Sequence, residues 1–572
     1  MARKFNDAHS GFSEDLFFGS DAPALPYLDS IGEPSVQARK LRAPTSPSLD
    51  DQVAFLSGID ADGKLTDQSY WGENGGTAFK WGRPVIGTGA KISYFFDPTS
   101  NFSDVEKATF LKAFGMWSAV ADVTFVEAKG QKGAGVLLRR GDDGGAYCST
   151  PTSDGSGATM CPCGCGALSY EARDADRQAA AAAQFDGIEG PHDPSAAPGR
   201  VIGQALISID TSVPGFDLSG SLDTYGGYGM STIIHEVGHL LGLGHGGNYN
   251  GDVNPRTQQF SAYDDRMYTI MSYVNWTNTN AKFYDQNFFE GTDWGITDEF
   301  TYRTAPHTVM GLDILAIQQM YGVAETSPFS GGQVYGFNSN IKGPLSDFYD
   351  FAVNSSPVVT IYNTGSNNTM DLSRYTDYQY IDLRGASYSS VLGLTNNMFI
   401  HWDTDITTAI GGSGTDFMLA NDKKGIFFGG NGDDEIWGGK GADELSGDAG
   451  DDYLWGKNGR DELVGGDGAD RFVYQSVKES VAKIARADRI LDFNRADGDK
   501  IDLSDIDAVR GGRDNDFRFL GKDSFSKTAG ELIYKVANGD AQVMGDINGD
   551  GKADFTIVVE DARFLNANDF LL

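Results

Sequence analysis

The sequence predicts two successive domains, an α/β (α+β) domain followed by an all-β domain folded as a parallel β-roll. Two observations predict this order. Between about residues 76 and 325, short apolar runs alternate with helical patterns of apolar residues. From Gly411 onward, the chain repeats a nonapeptide rich in glycine and aspartate, with one apolar residue in each unit. Such a repeat is typical of short strands and tight turns that stack on one another.

Length and charge limit the classes of protein that this chain can be. Its 572 residues are too many for one hydrophobic core. The 80 acidic and 45 basic residues leave a net charge of −35, which repels nucleic acid and anionic lipid and attracts cations such as calcium. No apolar run is long enough to span a bilayer, and the N-terminus lacks the apolar stretch of a cleaved secretion signal. We therefore expect no nucleic-acid partner and no membrane span.

Residues 1–75 show no sustained periodicity and contain the proline-rich runs PALP and APTSPS. These features favour loops and an extended arm. We interpret the segment as a leader or propeptide that restrains activity. A cysteine switch is excluded as its mechanism, because no cysteine precedes Cys148.

The domain at 76–325 is predicted from individual elements. Ser103 and Glu106 have the spacing of a capping box at the start of a helix, and apolar residues continue at helical intervals to Val120. Further strands are predicted at KISYFF, Val123–Val126 and Ala205–Asp210, with helices at Met230–Leu241 and at a segment that ends near Gly322.

An insertion at about 141–200 interrupts this domain. It holds an alanine-rich helix candidate at 175–184 and all four cysteines, Cys148, Cys161, Cys163 and Cys165. Two disulfides, a small metal site with four thiolates, and free thiols all fit this spacing. The function of the insertion is not evident from its sequence.

The run HEVGHLLGLGH has the spacing of a catalytic metal site. His235 and His239 lie four residues apart, so both rings project from one face of a helix, with Glu236 beside the first. Gly242 can end the helix and turn the chain, which lets His245 supply a third imidazole. Three neutral imidazoles leave one position of a zinc ion open to water, whose pKa falls to about 7. The pattern therefore predicts hydrolytic zinc chemistry.

This string resembles the motif of the metzincin metallopeptidases, and the run YTIMSY that ends at Tyr273 resembles their Met-turn. The runs GNYN at Gly247 and VYGFNSN at Val334 narrow the resemblance to the serralysins. It implies Met271 as the apolar floor of the zinc site, Tyr273 as an additional zinc ligand that also stabilises the oxyanion, and Glu236 as general base and proton donor. Serralysins usually have proline and aspartate where Gly246 and Asn248 stand. The run ALISID is expected to be the sheet edge that aligns the substrate.

Seven consecutive nonapeptides run from Gly411 to Val473 and match the GGxGxDxUx repeat of RTX proteins. Their aspartates are predicted to bind calcium, except in the second unit, where Gly425 stands at the aspartate position. The aspartates are Asp416, Asp434, Asp443, Asp452, Asp461 and Asp470. The residues expected to contribute backbone carbonyls are Gly429, Asn431, Gly438, Lys440, Gly447 and Ala449.

Two features near the C-terminus complete the domain at 326–572. Oxygen ligands at positions 1, 3, 5 and 9 of an EF-hand-like loop, with glycine at 6, predict a further calcium site. They are Asp546, Asn548, Asp550 and Asp554. The chain closes with Asp569-Phe570-Leu571-Leu572, which resembles the ending of serralysins that are exported by type I (ABC) secretion machinery.

The sequence thus predicts a secreted, extracellular or cell-surface-associated zinc endopeptidase with one catalytic zinc ion, several structural calcium ions and protein or peptide substrates. The alternative is a calcium-dependent adhesin or cell-surface binding protein with an inactive metzincin domain. An RTX lipase is disfavoured, because no Gly-x-Ser-x-Gly elbow is present. Cleavage preference, natural target, leader cleavage site, number of calcium ions and oligomeric state do not follow from the sequence.

Overall fold

The computed structural model describes residues 46–74, 78–82, 85–142, 145–149, 191–192, 205–212, 216, 218, 228–250, 253–275, 280–283, 294, 305–511 and 515–572. The alanine-rich helix candidate at 175–184 and three of the four cysteines lie outside these residues. Among the described residues, no helix has the length and apolar character needed to cross a membrane.

The helices are concentrated in the first half of the chain. They are α1 (Leu49–Ser57), α2 (Tyr70–Glu73), α3 (Asp104–Val120), α4 (Tyr228–Leu241), α5 (Pro255–Gln258), α6 (Gly311–Tyr321) and α7 (Ser346–Tyr349). The capping box predicted for α3 is present, with Ser103 accepting from the backbone N–H of Glu106. Helices α3, α4 and α6 confirm the helical patterns of the sequence.

Helix α1 corrects the expectation that residues 1–75 are only loops and an extended arm. Ser48 caps α1 in a capping box with Asp51, and Gly58 ends the helix at φ 75°. Val53, Phe55 and Leu56 on this helix are buried. The expectation failed because the helix is short and buries most of its surface, so its apolar residues show no single stripe.

The strands of the first domain are β1 (Lys80–Trp81), β2 (Ala90–Phe96), β3 (Val123–Glu127), β4 (Val136–Arg140), β5 (Ala146–Ser149), β6 (Pro191–His192) and β7 (Ala205–Ile209). Five of them form one sheet in the order β3-β2-β4-β7-β5. Strand β5 runs antiparallel to β7, and the other neighbouring pairs are parallel.

This order corrects the assignment of ALISID as a sheet edge. Strand β7 carries that run, but it pairs with β4 on one side and β5 on the other. Among the described residues, the edge of the sheet beside β7 is therefore β5. A strand that pairs on both sides has its backbone donors and acceptors already engaged, so it cannot align a substrate.

The second domain consists mainly of short strands. They are β8 (Val334–Gly336), β9 (Val359–Ile361), β10 (Asn368–Asp371), β11 (Gln379–Asp382), β12 (Tyr388–Ser389), β13 (Met398–Ile400), β14 (Ile406–Ile410), β15 (Asp416–Leu419), β16 (Ile426–Asn431), β17 (Glu435–Trp437), β18 (Glu444–Ala449), β19 (Tyr453–Trp455), β20 (Glu462–Asp467), β21 (Arg471–Val473), β22 (Asp488–Ile490), β23 (Lys500–Asp502), β24 (Arg518–Phe519), β25 (Glu531–Ala537), β26 (Asp540–Asp546), β27 (Phe555–Val559) and β28 (Phe570–Leu571).

Successive repeats alternate between two sheets, which confirms the parallel β-roll. One sheet has the order β11-β15-β17-β19-β21-β23-β28, and the other includes β20-β18-β16-β14-β10-β8. The pairings within these runs are parallel. The apolar residues of the seven repeats are all buried between the sheets: Met418, Phe427, Ile436, Leu445, Leu454, Leu463 and Phe472.

A third, small sheet joins the two domains. Strands β12, β13 and β9 form it in that order. Phe399 on β13 lies so close to α6 that a Cβ added at Gly311 would be 2.4 Å from its ring. Most of the buried apolar residues of both domains belong to one continuous cluster, and Phe55, Tyr70, Trp71 and Phe79 form a second, small one.

Candidate active site

Helix α4 brings the predicted metal ligands together. His235, His239 and His245 are buried, and their ligand atoms all lie within 4.8 Å of one another. The Nε2 atoms of His239 and His245 are 3.0 Å apart. Among the described residues, this is the only group of three or more His, Cys, Asp or Glu side chains that could hold a metal ion.

Backbone carbonyls orient all three rings. The Nδ1 atoms of His235, His239 and His245 lie 2.8, 2.9 and 2.9 Å from the carbonyl oxygens of Ile270, Leu243 and Tyr249. Because a carbonyl only accepts, each Nδ1 carries the proton and each Nε2 presents a lone pair to the centre.

The donor set fits zinc. Burial lowers the pKa of His239 to about 4 and holds the pKa values of the other two rings well below the ordinary 6.5. The rings are therefore neutral at pH 7, and buried Nε2 of His235 has no hydrogen-bond partner. Three neutral imidazoles whose lone pairs converge need a cation between them, and zinc accepts this ligand set.

Glycines allow the close packing of the segment that carries the ligands. Gly242 has φ 106°, and a Cβ there would lie 2.2 Å from the carbonyl of Phe79. A Cβ at Gly238 would lie 2.6 Å from the sulfur of Met271. The helix can therefore end at Leu241 and turn His245 back toward the other two rings.

The other predicted site residues lie beside the triad. The ring of Tyr273 stacks on that of His235 at a centroid distance of 5.6 Å and lies 4.6 Å from that of His245. Met271 is fully buried against α4, and Glu236 is only 2% exposed between the two helical ligands.

A buried hydrogen-bond network lies behind the third ligand. The hydroxyl of Tyr249 donates to Asp264 at 2.5 Å and accepts from the backbone N–H of Tyr273 at 3.1 Å. Ser272 also donates to Asp264, at 2.7 Å. Burial raises the pKa of Asp264 to about 6. The network joins the loop after His245 to the segment that carries Tyr273.

The two departures at Gly246 and Asn248 leave this loop well bonded. Gly246 donates its N–H to the carbonyl of Met271 at 3.1 Å. The carbonyl of Asn248 accepts from the side chain of Gln258 at 2.9 Å. A Cβ at Gly246 would lie 2.3 Å from Asp264, so glycine is the residue that fits beside this carboxylate.

The repeat aspartates form two series of stacked turns, which we call ladders, with one ladder along each of the two sheets of the roll. Within the nonapeptides, the backbone N–H at an aspartate position donates to Oδ1 of the aspartate 18 residues along, for example Asp434 to Asp452 at 2.7 Å. The same contact joins Asp416 to Asp434, Asp443 to Asp461 and Asp452 to Asp470. At the second repeat, the N–H of Gly425 donates to Asp443, and this position of the ladder has no carboxylate of its own.

The second oxygens of these carboxylates are candidates for cation binding. Among the described residues, buried Oδ2 atoms without a hydrogen-bond partner occur in Asp434, Asp452, Asp461, Asp470 and Asp488. Burial and neighbouring carboxylates raise the pKa of Asp434 to about 9 and of Asp461 to about 8. In contrast, Oδ2 of Asp416 and of Asp443 accept from their own turns, at Gly412 and Gly439.

Several of the residues predicted to bind calcium through backbone carbonyls are glycines, and their lack of a side chain leaves space in front of these carboxylates. A Cβ at Gly429 would lie 2.3 Å from Oδ2 of Asp434, and one at Gly447 would lie 2.1 Å from Oδ2 of Asp452. The equivalent distance from Gly438 to Asp443 is 2.9 Å. The space therefore suits a cation held by a carboxylate and backbone carbonyls.

The remaining predicted calcium residues have mixed surroundings. The carbonyl of Ala449 accepts from Gly432 at 2.8 Å, the N–H of Asn431 donates to Gly412, and the ammonium group of Lys440 pairs with Asp422. In the EF-hand-like loop, Asp546 accepts from three backbone amides, and Asn548 donates to Asp554. Asp550 accepts from Lys552 at the surface.

Comparison with known proteins identifies the family of this chain. The family model described as Peptidase M10 serralysin C terminal matches residues 324–572. Metalloprotease AprA of Pseudomonas entomophila is 34% identical over 464 residues, which cover 80% of this chain and 78% of that protein.

The chain belongs to the serralysin-type metalloproteases.

A serralysin of Proteus mirabilis is 44% identical over 284 residues, which cover 49% of this chain and 51% of that protein. Among solved structures, high choriolytic enzyme 1, a hatching-enzyme zinc protease of Oryzias latipes, is 14% identical over 41% of this chain and 88% of that chain. Its TM-score is 0.19, too low to compare the folds. As a member of this family, the protein is a zinc metalloendopeptidase.

The N-terminal segment of this serralysin-type protease contributes contacts to the site that the sequence did not indicate. The ring of Tyr70 lies 5.1 Å from that of His245, and the ring of Trp71 lies 6.4 Å from that of His239. Trp71 also donates to the carbonyl of Gly242 at 2.7 Å. A motif search misses these residues because they are far from the histidines along the chain.

Two further aspartates continue the ladders beyond the seven nonapeptides. Asp461 donates its N–H to Asp488 at 2.9 Å, and Asp470 donates to Asp499 at 3.1 Å. The sequence contains a pattern that could have predicted both aspartates. Asp488-Arg489-Ile490 and Asp499-Lys500-Ile501 keep the aspartate and the apolar residue at the repeat spacing, although the glycines are absent.

One of the four cysteines, Cys148, lies among the described residues. Cys148 is buried on β5, the sheet edge that lies beside α4. Cys161, Cys163 and Cys165 lie outside the described residues.

Proposed function

We propose that this protein is a secreted endopeptidase that hydrolyses peptide bonds of extracellular proteins at the His235–His239–His245 centre. The observation that carries the proposal is the convergence of three neutral, buried imidazoles, each held by a backbone carbonyl. A zinc ion with three protein ligands would keep one position for water, which suits this centre to hydrolysis rather than to a structural role.

His235, His239 and His245 would hold the metal in this mechanism. When bound, zinc would supply a Lewis acid for the peptide carbonyl and for water. Glu236 takes the proton from the attacking water and later gives it to the leaving amine. Its place in the sequence between the two helical ligands supports this role, because the same helix then carries the base and two of the metal ligands.

Tyr273 is proposed as an additional zinc ligand that moves to the tetrahedral oxyanion and donates a hydrogen bond to it. Its ring packs on two of the three ligands. The backbone N–H of Tyr273 is held by Tyr249, which leaves the side chain to change partner while the backbone stays in place.

Strand β5 is proposed as the strand that aligns the substrate. It is the sheet edge beside β7, and it lies close to α4. An extended peptide that pairs with this edge would pass along the metal-binding helix.

Calcium is proposed to fold the second domain by binding between stacked turns. The unpartnered Oδ2 atoms of Asp434, Asp452, Asp461, Asp470 and Asp488 support these sites. Each bound ion neutralises facing carboxylates, and its binding free energy contributes to the free energy of folding. The EF-hand-like loop with Asp546, Asn548, Asp550 and Asp554 is proposed as a separate site.

Export by type I (ABC) machinery is proposed from the final four residues. Asp569 is buried in an ion pair with Arg495, and Phe570 and Leu571 form β28. In the folded domain Asp569 and Phe570 are buried, so we propose that an export machine recognises the segment before the domain folds, in agreement with folding by calcium outside the cell.

Digestion of casein tests the enzymatic function. The full chain in calcium-containing buffer should cleave casein, lose this activity with ortho-phenanthroline, which prefers transition metals to calcium, and recover it when zinc is returned. A protein that binds zinc at the triad and cleaves neither casein nor small peptides would instead support the adhesin-type alternative.

A further inference from the structure

The first and second domains meet directly beneath the segment that orients His235. Ile270 supplies the carbonyl that holds His235 Nδ1 at 2.8 Å. Three residues earlier, the carbonyl of Met267 accepts from the hydroxyl of Tyr388 at 2.8 Å. Tyr388 lies on β12, in the second domain. Met267 is fully buried and Tyr388 is 8% exposed, so this hydrogen bond is shielded from water.

The segment between Met267 and Ile270 is held rigidly, so its position depends on its supports. Asp313 accepts from the Thr269 hydroxyl at 2.5 Å and from the Ile270 N–H at 2.9 Å. The Tyr268 carbonyl accepts from Leu312 at 2.9 Å. A shift of Met267 is therefore passed on to the carbonyl of Ile270 rather than absorbed by a flexible loop.

Tyr388 is itself fixed by the β-roll. Its ring packs on Phe399 of the neighbouring strand at 4.7 Å. Ser390, two residues later, exchanges backbone hydrogen bonds with Tyr380 on β11 at 2.8 and 3.0 Å. Next to Tyr380, Gln379 donates its N–H to Asp416, the first repeat aspartate, at 3.0 Å. A continuous path of hydrogen bonds and packed rings thus leads from the first repeat turn to the zinc centre.

We propose that Tyr388 is a positioning residue by which the folded second domain sets the geometry of the zinc centre. Its hydroxyl holds Met267, and the segment from Met267 to Ile270, which Asp313 keeps in place, then fixes the ring of His235. The second domain is then a structural support of the metal site as well as a calcium-binding module. The inference rests on the proposed zinc site.

Tyr388→Phe tests this role, because it removes one hydroxyl and leaves the ring. Tyr335→Phe is the matched control. Tyr335 is fully buried in the second domain, and its hydroxyl donates to the carbonyl of Tyr362 at 3.1 Å, away from the zinc segment. Both full-length variants are compared with the wild type in calcium-containing buffer. The measurements are zinc affinity by competition with a chromophoric chelator, the visible spectrum of the cobalt(II) form, and kcat and KM for a small peptide.

We expect Tyr388→Phe to bind zinc about tenfold more weakly, the lower end of the range for changes behind a metal ligand. Its cobalt(II) spectrum should shift, and kcat should fall with little change in KM. Tyr335→Phe should keep the wild-type zinc affinity and spectrum even where its thermal stability falls. Wild-type zinc affinity and spectrum in Tyr388→Phe would overturn the inference. A wild-type protein that binds no zinc at the triad would overturn the proposed function instead.

Discussion

The side-chain amide of Gln52 donates a hydrogen bond to the backbone carbonyl of Gly246 over 2.8 Å. This contact joins α1 to the residue that directly follows the third histidine. The side-chain oxygen Oε1 of Gln52 accepts from the hydroxyl of Ser261 at 2.6 Å, and the backbone carbonyl of Leu56 accepts from the N–H of Gly244 at 2.8 Å. Residues from α1 are therefore part of the wall of the metal site.

Two N-terminal truncations should distinguish a removable leader from the residues of α1 and α2 that form the wall of the metal site. A form that starts at residue 46 should keep its zinc content and thermal stability. A form that starts at 76 should lose both, because it lacks Phe55, Leu56, Tyr70 and Trp71, which are buried and contribute about 1.5–3 kcal/mol each. Differential scanning calorimetry and metal analysis measure the two effects.

That residues 1–75 are a leader that restrains activity stays a prediction. Because Gln52 of α1 and Tyr70 of α2 contact the metal site, we expect any removable part to end before α1. If the form that starts at 46 cleaves a small peptide no faster than the full chain, the segment does not restrain activity. If the form that starts at 76 keeps stoichiometric zinc, the contacts of α1 and α2 are dispensable.

Substitution of the proposed base should separate metal binding from catalysis. Glu236→Gln keeps the size of the side chain but cannot take up a proton. We expect unchanged zinc affinity and a fall in kcat of about a hundredfold to ten-thousandfold. Near wild-type cleavage of casein by the zinc-loaded variant would contradict the role of Glu236.

The repeat ladder makes a prediction about calcium. Asp452→Asn keeps the oxygen that accepts from Asp434 but removes the charge of the unpartnered oxygen. We expect the calcium concentration at half-maximal β-structure, followed by circular dichroism, to rise about tenfold, because affinity depends on the number of charged ligands.

Asp467→Asn is the control, since Asp467 is exposed in the turn of a neighbouring repeat. It makes the same chemical change and should leave the calcium midpoint nearly unaltered. Equal midpoints for the two variants would contradict a calcium site at Asp452. Magnesium should not replace calcium in this assay, because its strict octahedral geometry fits these turns poorly.

A buried histidine between the domains predicts a pH dependence of stability. Burial lowers the pKa of His307 to about 3, whereas an unfolded histidine titrates near 6.5. The unfolded state therefore binds more protons below pH 6.5, and the stability that neutral His307 contributes is lost as pH falls from 6.5 toward 3. At pH 5, this single group costs about 2 kcal/mol relative to pH 8.

His307→Asn tests the assignment, because its amide oxygen can still accept from Asn354, which lies 3.0 Å from Nδ1, and asparagine does not titrate. We expect the variant to be less stable than the wild type at pH 8, because it loses packing. The difference in free energy of unfolding between pH 8 and pH 5, measured with urea in saturating zinc and calcium, should be about 2 kcal/mol smaller. An unchanged difference would exclude His307 as a source of acid sensitivity.

The sequence by itself determined those parts of the protein that depend on local spacing. His235 and His239 share a helix face because the α-helix repeats every 3.6 residues, and Gly242 marks the turn that brings in His245. The nonapeptide phase predicted the β-roll and its buried apolar residues, since each unit adds one turn and one short strand. Local geometry was sufficient for both predictions.

The tertiary structure decided what depends on contacts between segments far apart in the chain. Spacing along the chain carries no information about which strand ends at the sheet edge, so the choice of β5 over β7 required the pairing itself. The same holds for Gln52 against Gly246 and for Tyr388 against Met267, which lie 194 and 121 residues apart. Each contact forms only when the core closes, because burial and loop closure, rather than local conformation, determine which distant residues meet.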